Sequence, residues 1–388
     1  MVSTIHSCYA VTPPGVEALT AAELTPLGIT RGALEPGGVG FEATARQLYA
    51  ANLELRTASR IVVRMAEFPA RAFYELERKA KRVAWGEFVA PGTAVRFRVT
   101  SRKSKLYHLD AIAERLRNCV NGERSTVNGK SLPDDEIEDG AESNEQLFVV
   151  RVIRDVVTIS ADSSGALLHR RGYRLAGAKA PLRETLAAAV LLGAGYREGI
   201  PMVDPFCGSG TIPIEAALIS RRIAPGLRRR FAFEQWPGFD PAVWNELRSE
   251  AAARIRAEAG APIIGSDRDA GAIAAARGNA ERAGVGMDVI FNEEAISSVT
   301  PPPGPGLLAT NPPYGIRIGG GNDLRDLFAR FGALVRERWR GWTIAMISTG
   351  EMPEREMRMP FETRWETDNG GIPIRLLVSR PGARSGSG

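Results

Sequence analysis

The chain has 388 residues, 44% of them hydrophobic and 24% charged, ordinary globular values that argue against general disorder and suit two or three domains. Its net charge of +5 lies in the first half: residues 1–183 carry 26 Lys and Arg against 21 Asp and Glu, whereas residues 184–388 carry 24 of each. The longest mainly apolar stretch, Leu186 to Tyr196, is about half the ~20 residues of a membrane-spanning helix and is interrupted by Gly193 and Gly195, so no such helix is expected.

Met1 to Cys8 has neither a charged nor an apolar signal region, and a cytoplasmic protein is expected. Three cysteines (Cys8, Cys119, Cys207) and three histidines (His6, His108, His169) are scattered singly, without metal-ligand spacing, so neither a metal nor a disulfide framework is expected. Residues 1–60 open with the turn Thr12-Pro-Pro-Gly15 and an Ala/Leu/Glu helix through Glu23. A hairpin signal at Pro36-Gly-Gly-Val-Gly40 and a helix from Ala43 towards Leu55 complete a small α+β unit.

Residues 61–175 form the second block, entered by a strand at Arg60–Arg64 and a helix around Ala72 to Val83. In Ala94–Thr100, Val95, Phe97 and Val99 alternate with Arg96 and Arg98, which places both arginines on one face of a strand. Arg102, Lys103 and Lys105 follow, then an amphipathic helix near Asp110 to Cys119 and strands at Gln146–Val152 and Val156–Ser160. Residues 71–131 hold 14 basic and 6 acidic side chains, and Asp134 to Glu145 hold seven acids. The surplus makes Arg96, Arg98, Arg102, Lys103 and Lys105 candidate phosphate contacts; a solvated charged face is the competing reading.

Residues 176–380 alternate helical patterns with short apolar strands at Pro201–Asp204, Pro262–Asp267, Met287–Phe291, Leu307–Asn311 and Trp342–Ser348. This is the pattern of an α/β, Rossmann-like domain with a mostly parallel sheet covered by helices on both faces. Phe361–Trp365 and Pro373–Val378 flank Asp368-Asn-Gly-Gly371 as a closing hairpin, and the Gly/Ser-rich tail 381–388 is expected to be disordered.

The chemistry gathers at the carboxyl ends of these strands. Val203-Asp-Pro-Phe-Cys-Gly-Ser-Gly-Thr211 follows the first strand, and Gly208 and Gly210, flanking Ser209, allow a ligand close to the backbone before a helix beginning near Pro213. Pro213 occupies the third glycine position of a dinucleotide fingerprint, and the carboxylate of Asp204 would repel phosphates. A ligand with an ammonium and a sulfonium, S-adenosylmethionine, suits that acid better. Asp267 ends the next strand, where a carboxylate can accept hydrogen bonds from both ribose hydroxyls, although it could simply cap the following helix. Asn311-Pro-Pro-Tyr-Gly315 stands at a further strand end. The lone pair of a nucleobase exocyclic amine is delocalised into the ring; the Asn311 side-chain oxygen and the Pro312 carbonyl can accept the two amine hydrogens and localise it. Tyr314 can stack on the base while Pro312 and Pro313 stiffen the turn.

These motifs resemble the class I S-adenosylmethionine-dependent methyltransferases that act on nucleobase amines. Thr12-Pro-Pro-Gly-Val-Glu17, Asn52–Arg60, Leu168-His-Arg-Arg-Gly-Tyr-Arg174, Ala180-Pro-Leu-Arg-Glu-Thr185 and Phe231-Ala-Phe-Glu-Gln-Trp-Pro237 extend the resemblance to the THUMP-domain RNA methyltransferases, in particular the bacterial 23S rRNA guanine-N2 enzymes. The resemblance implies a ferredoxin-like domain over 1–60, a THUMP RNA-binding domain over 61–175 and a methyltransferase domain over 176–380. It also implies that Asp204, Cys207, Gly208, Ser209, Gly210 and Asp267 hold the cofactor, with Pro181 and Leu182 lining its pocket. Glu294 falls where relatives place an Asp on the adenine amine. Ile316 departs from the Glu of many bacterial rRNA enzymes, which keeps tRNA open as substrate beside 23S rRNA.

Adenine-N6 methylation of DNA would use the same strand-end residues, a nicotinamide-dependent oxidoreductase is opposed by Pro213, and a silent RNA-binding factor is opposed by the intact glycine loop. The segment Arg228–Trp236, inside an unusually long interval between Asp204 and Asp267, reads equally as an RNA contact or a packed flap.

Overall fold

The computed structural model describes residues 4–121, 145–174, 182–313 and 321–380. Pro181, Tyr314 and nearly all of the acidic run up to Glu145 lie outside the described residues, as does the tail 381–388.

The chain forms two compact units, the first comprising Met1–Thr12, Ala21–Leu168 and Arg229–Ser249. In chain order the elements are β1 (His6–Val11), α1 (Glu17–Leu24), β2 (Arg31–Glu35), β3 (Gly38–Ala43), α2 (Ala45–Glu54), β4 (Arg60–Pro69), α3 (Phe73–Ala80), β5 (Ala94–Arg102), α4 (Leu109–Asn121), β6 (Glu145–Ile153) and β7 (Val156–Asp162). The strands make one sheet of order β2-β3-β1-β4-β7-β6-β5. Among the described residues only the pair β5 and β6 runs parallel within it. The border expected at residue 60 falls at the first residue of β4, which joins the two blocks in that sheet.

Local chemistry sets the ends of these elements. Helix α2 starts at Ala45 rather than Ala43 because Thr44 and Gln47 form a reciprocal capping box: the Gln47 side chain accepts from the Thr44 amide at 3.0 Å, and the Thr44 hydroxyl accepts from the Gln47 amide at 3.3 Å. Strand β4 runs five residues beyond the expected Arg64, since its register with β7 shifts between Arg64 and Ala66 and the bulge interrupts the period of two. At the start of β4 the buried Arg60 and Asp162 form an ion pair, and the same carboxylate accepts from the Ser164 and Gly165 amides at 3.0 Å each.

Residues 229–249 are packed into this first unit. Phe231, Phe233 and Trp236 are buried; Phe233 stacks on Tyr49 with ring centroids 4.4 Å apart, and the Trp236 indole donates to the Gln146 side chain at 2.8 Å. Arg229 donates to the carbonyls of Leu167 and Ser164 at 2.8 and 3.1 Å. The aromatic residues of this segment therefore serve a core.

The chain continues with α5 (Glu184–Gly193), β8 (Met202–Asp204), α6 (Thr211–Ser220), α7 (Pro241–Ala253), β9 (Ile263–Asp267), α8 (Ala270–Ala283), β10 (Val289–Glu293), β11 (Leu307–Thr310), α9 (Gly321–Arg338), β12 (Thr343–Ser348), α10 (Met352–Met357), β13 (Glu362–Asn369) and β14 (Ile372–Ser379). The second unit, Pro13–Thr20, His169–Arg228 and Glu250–Gly388, is built on a sheet of order β10-β9-β8-β11-β12-β14-β13. β10 through β12 are mutually parallel, and β14 and β13 close the edge as an antiparallel hairpin turning on Gly370 and Gly371 at φ +62° and +83°. One core layer joins Leu186, Ile214 and Ala276 from α5, α6 and α8; another joins Phe328, Phe331, Val335 and Met357 from α9 and α10. Helices thus cover both faces. From β8 the chain winds outward to β9 and β10, and β11 then lies on the other side of β8, so β8 and β11 flank the topological switch point where α/β folds bind ligands.

Strand β10 sits two residues later than the expected Met287–Phe291, because its register pairs Val289 with Ile263 and Glu293 with Asp267, leaving Met287 fully exposed. Helix α6 begins at Thr211, before Pro213, because Gly210 at φ +82° turns the chain into it; proline is tolerated in a first turn. Among the described residues no helix is long and apolar enough to cross a membrane.

Gly332 in α9 tests the tight packing of α9 on α10. A Cβ there would lie 2.4 Å from the Met357 carbonyl oxygen and 2.5 Å from its Cα. Gly332→Ala is expected to destabilise the protein by about 1–3 kcal/mol through overpacking, read as a lower urea midpoint by circular dichroism.

Candidate active site

The loop from β8 to α6 is held in place by its neighbours. The Cys207 amide donates to the Ser266 carbonyl at 2.9 Å, the Gly208 amide to Asp267 Oδ2 at 3.0 Å, and Asn279 of α8 donates to the Ser209 carbonyl at 3.0 Å. A Cβ on Gly210 would lie 2.9 Å from Ala276 and about as close to the Phe291 ring, so only glycine permits this packing. A Cβ on Gly208 would meet nothing within 4 Å. The loop backbone there borders open space, which suits a ligand lying against it.

Asp204 is 1% exposed at the end of β8; its Oδ1 accepts from the Thr310 hydroxyl at 2.7 Å and from the Phe206 amide at 3.1 Å. Burial pushes its pKa from 3.8 up to about 7, the nearby Asp267 carboxylate adding to the rise against the two hydrogen bonds. Because the fold favours the protonated form, ionising Asp204 costs stability as pH rises from about 4 towards 7, and a cation beside it offsets that cost. Burial also raises the Cys207 thiol, helped by Asp204 and Asp267, so this cysteine stays an uncharged wall of the loop and not a nucleophile.

On β9, Asp267 latches Gly208 with one oxygen and accepts from the Asp269 amide at 3.1 Å with the other. It does not cap α8. That role falls to Asp269, whose Oδ1 accepts from the Gly271 and Ala272 amides at 2.8 and 3.1 Å. A carboxylate has lone pairs to spare beyond these two bonds, so ribose hydroxyls can still be accepted. Glu294 stands beside it: its amide donates to the Asp267 carbonyl at 3.0 Å. Its Oε1 accepts from the Ser266 hydroxyl at 3.0 Å and from Asn292 at 3.1 Å, which directs Oε2 to any further donor.

Asn311 follows β11 directly. Its Oδ1 is shielded from solvent and accepts no hydrogen bond among the described residues, while Pro312 is buried beside it. A buried amide oxygen without a donor costs on the order of 1–3 kcal/mol, a cost removed when a ligand N–H arrives. Leu182 is buried near the loop because Arg174 donates to both the Leu182 carbonyl, at 2.9 Å, and the Thr211 hydroxyl, at 2.7 Å.

The structure thus gathers Asp204, Cys207, Gly208, Ser209, Gly210, Asp267, Glu294, Asn311, Pro312 and Leu182 in the second unit. Arg96, Arg98, Arg102, Lys103 and Lys105 belong to the first unit. Arg96 and Arg98 share one half-buried face of β5 opposite the buried Val95, Phe97 and Val99; Arg102, Lys103 and Lys105 are exposed. Three further residues contribute: Asn279 holds the loop at Ser209, Thr310 binds Asp204 before it and Arg174 binds Thr211 after it; of these only Arg174 lies in a motif, Leu168–Arg174, that the sequence singles out. Among the described residues no group of three or more His, Cys, Asp or Glu is placed to hold a metal.

A parallel sheet with an antiparallel closing hairpin, a glycine loop after β8 and acids at successive strand ends defines a class I methyltransferase domain, the class whose methyl donor is S-adenosylmethionine. The chain belongs to the RMKL-like methyltransferase family, whose methyltransferase domain matches residues 171–376, and residues 7–62 match the RlmL ferredoxin-like domain. A candidate RNA methyltransferase of Synechocystis is 35% identical over 97% of both chains. The ribosomal RNA large subunit methyltransferase K/L of Syntrophotalea carbinolica is 36% identical over 95% of this chain, which spans only 53% of that longer relative. The crystal structure of SMU.472, described as a candidate methyltransferase complexed with SAH, has a TM-score of 0.85 at 29% identity and covers 98% of this chain and 99% of that chain.

Gly208→Val would push a branched side chain into the open space against the loop. S-adenosylhomocysteine affinity is expected to fall at least about tenfold by calorimetry, equivalent to about 1.4 kcal/mol. Unchanged affinity would show that the ligand does not lie there.

Proposed function

We propose that the protein methylates the exocyclic N2 amine of guanine in structured RNA, 23S rRNA being the favoured substrate. The observation that carries this reading is the shielded Asn311 oxygen at the switch point, which has no donor among the described residues and lies one residue from the Thr310 hydroxyl that binds Asp204. The names of the relatives support RNA, and rRNA in the case of the longer K/L protein.

In this reading the Gly208–Gly210 backbone and Cys207 cradle the cofactor, Leu182 and Pro181 wall its pocket, Asp267 receives the ribose hydroxyls, and Glu294 Oε2 receives the adenine amine. Asp204 supplies negative charge for the cationic methionine end. Bound there, S-adenosylmethionine supplies an electrophilic methyl group on a sulfonium. Asn311 Oδ1 and the Pro312 carbonyl accept the hydrogens of the guanine amine, which turns its lone pair out of ring conjugation, and Tyr314 stacks on the base. Pro312 and Pro313 hold these acceptors without hinge freedom. The proton released after transfer leaves the amine along one of these hydrogen bonds towards water. Residues 61–175 act as a THUMP domain that grips RNA through Arg96, Arg98, Arg102, Lys103 and Lys105, presenting an unpaired or flipped guanine. The cytoplasm, where ribosomes are assembled, is the proposed location.

Methyl transfer from labelled S-adenosylmethionine to separated 23S rRNA, tRNA and genomic DNA, with nucleoside analysis, tests this. N2-methylguanosine in 23S rRNA is expected. The same nucleoside in tRNA alone would move the substrate and keep the chemistry, and N6-methyladenine in DNA would overturn the reading.

A further inference from the structure

The parallel ladder between β11 and β8 pairs Leu307 with Met202 and Leu308 with Val203 and goes no further. Beyond it the two strands part: β8 enters the Pro205–Ser209 loop and β11 leads into Asn311, Pro312 and Pro313. Across this opening the Thr310 hydroxyl donates to Asp204 Oδ1 at 2.7 Å, with both residues buried. Thr310 is fully buried, so its hydroxyl has no exchange with bulk water to make the bond dispensable.

We propose that Thr310 is a positioning residue that fastens the Asn311 end of β11 to the Asp204 end of β8, so that a cation held at Asp204 bears on the amine acceptor through the Thr310 side chain. The inference rests on the methyltransferase reading above and deepens it. Its chemistry is reciprocal. An ionised Asp204 is the stronger acceptor, so a cationic ligand that keeps it ionised also tightens the Thr310 bond and steadies the neighbouring Asn311. Loss of the hydroxyl should therefore do two separable things: weaken the ionised form of Asp204, and loosen Asn311 even when Asp204 is ionised.

The titratable groups facing Asp204 are Asp267 at the end of β9 and Cys207 in its own loop, while β11 presents the neutral Thr310. If the ammonium-bearing ligand prefers the ionised carboxylate, affinity rises as pH climbs through the Asp204 titration near 7 and levels off above it. The Thr310 bond lowers that titration, so removing it moves the rise to higher pH.

Calorimetric titration of S-adenosylhomocysteine across pH, with wild type, Thr310→Val and Thr310→Ser, reads the first effect. The Val variant is expected to move the midpoint up by about one pH unit, with Ser returning it to the wild-type position. The second effect is read as kcat for RNA methylation at saturating S-adenosylmethionine and a pH above both midpoints, where Val is expected to lose about tenfold and Ser to recover. Thr310→Ala, which removes the hydroxyl without adding a methyl group, repeats both readings should the Val protein fail to fold by circular dichroism. Superimposed pH profiles, or equal kcat above both midpoints, would overturn this proposal while the methyltransferase reading stands. Absence of S-adenosylhomocysteine binding by the wild type at every pH would overturn both.

Discussion

Everything at the site depends on a carboxylate placed where water cannot reach it. Asp204 is buried at the end of β8 with one hydroxyl and one amide as partners, and burial lifts it to about 7. A group in that state is unsatisfied near neutrality: ionised it lacks counter-charge, and protonated it holds a hydroxyl proton needing an acceptor. In the proposed reading a cation supplied from outside resolves the tension, so that the acid, the open backbone at Gly208 and the latch from Asp267 act as one device rather than three separate features.

A second, uncharged tension stands on the other side of the switch point. The Asn311 oxygen is shielded and donorless among the described residues, and in the proposed reaction its partner is an incoming N–H. The two tensions lie on adjacent parallel strands, β8 and β11, and the sheet order opens the crevice between them. The rest of the second unit keeps these two strand ends in register: Phe206 packs edge-on against Phe331 of α9, and Asn279 of α8 holds the loop from the opposite face.

The sequence patterns that can be read directly are those tied to strict geometry. Val95, Phe97 and Val99 alternate as a strand must, and they are buried while Arg96 and Arg98 face the other way. The strand-end residues were legible as a group because Asp204, Asp267 and Asn311 each close an apolar run. What stayed hidden depends on partners distant in sequence. The aromatic residues at Phe231, Phe233 and Trp236 look alike whether they stack on bases or on Tyr49, and only the packing decides. Likewise Asp267 can pass for a helix cap on paper, until hydrogen bonds assign that role to Asp269. The β4 bulge erased its period of two, the start of β10 was set by pairing with Ile263, and the Thr310 hydroxyl is an ordinary strand threonine until Asp204 is brought under it.

The central claim is that one acceptor side chain serves chemistry and not cofactor capture. Asn311→Ala, assayed side by side for S-adenosylhomocysteine affinity by calorimetry and for single-turnover methyl transfer to RNA, tests it most directly. The account predicts affinity within about threefold of wild type and methyl transfer reduced by at least about a thousandfold, equivalent to about 4 kcal/mol of transition-state stabilisation. Undiminished methyl transfer by the Ala variant would contradict it.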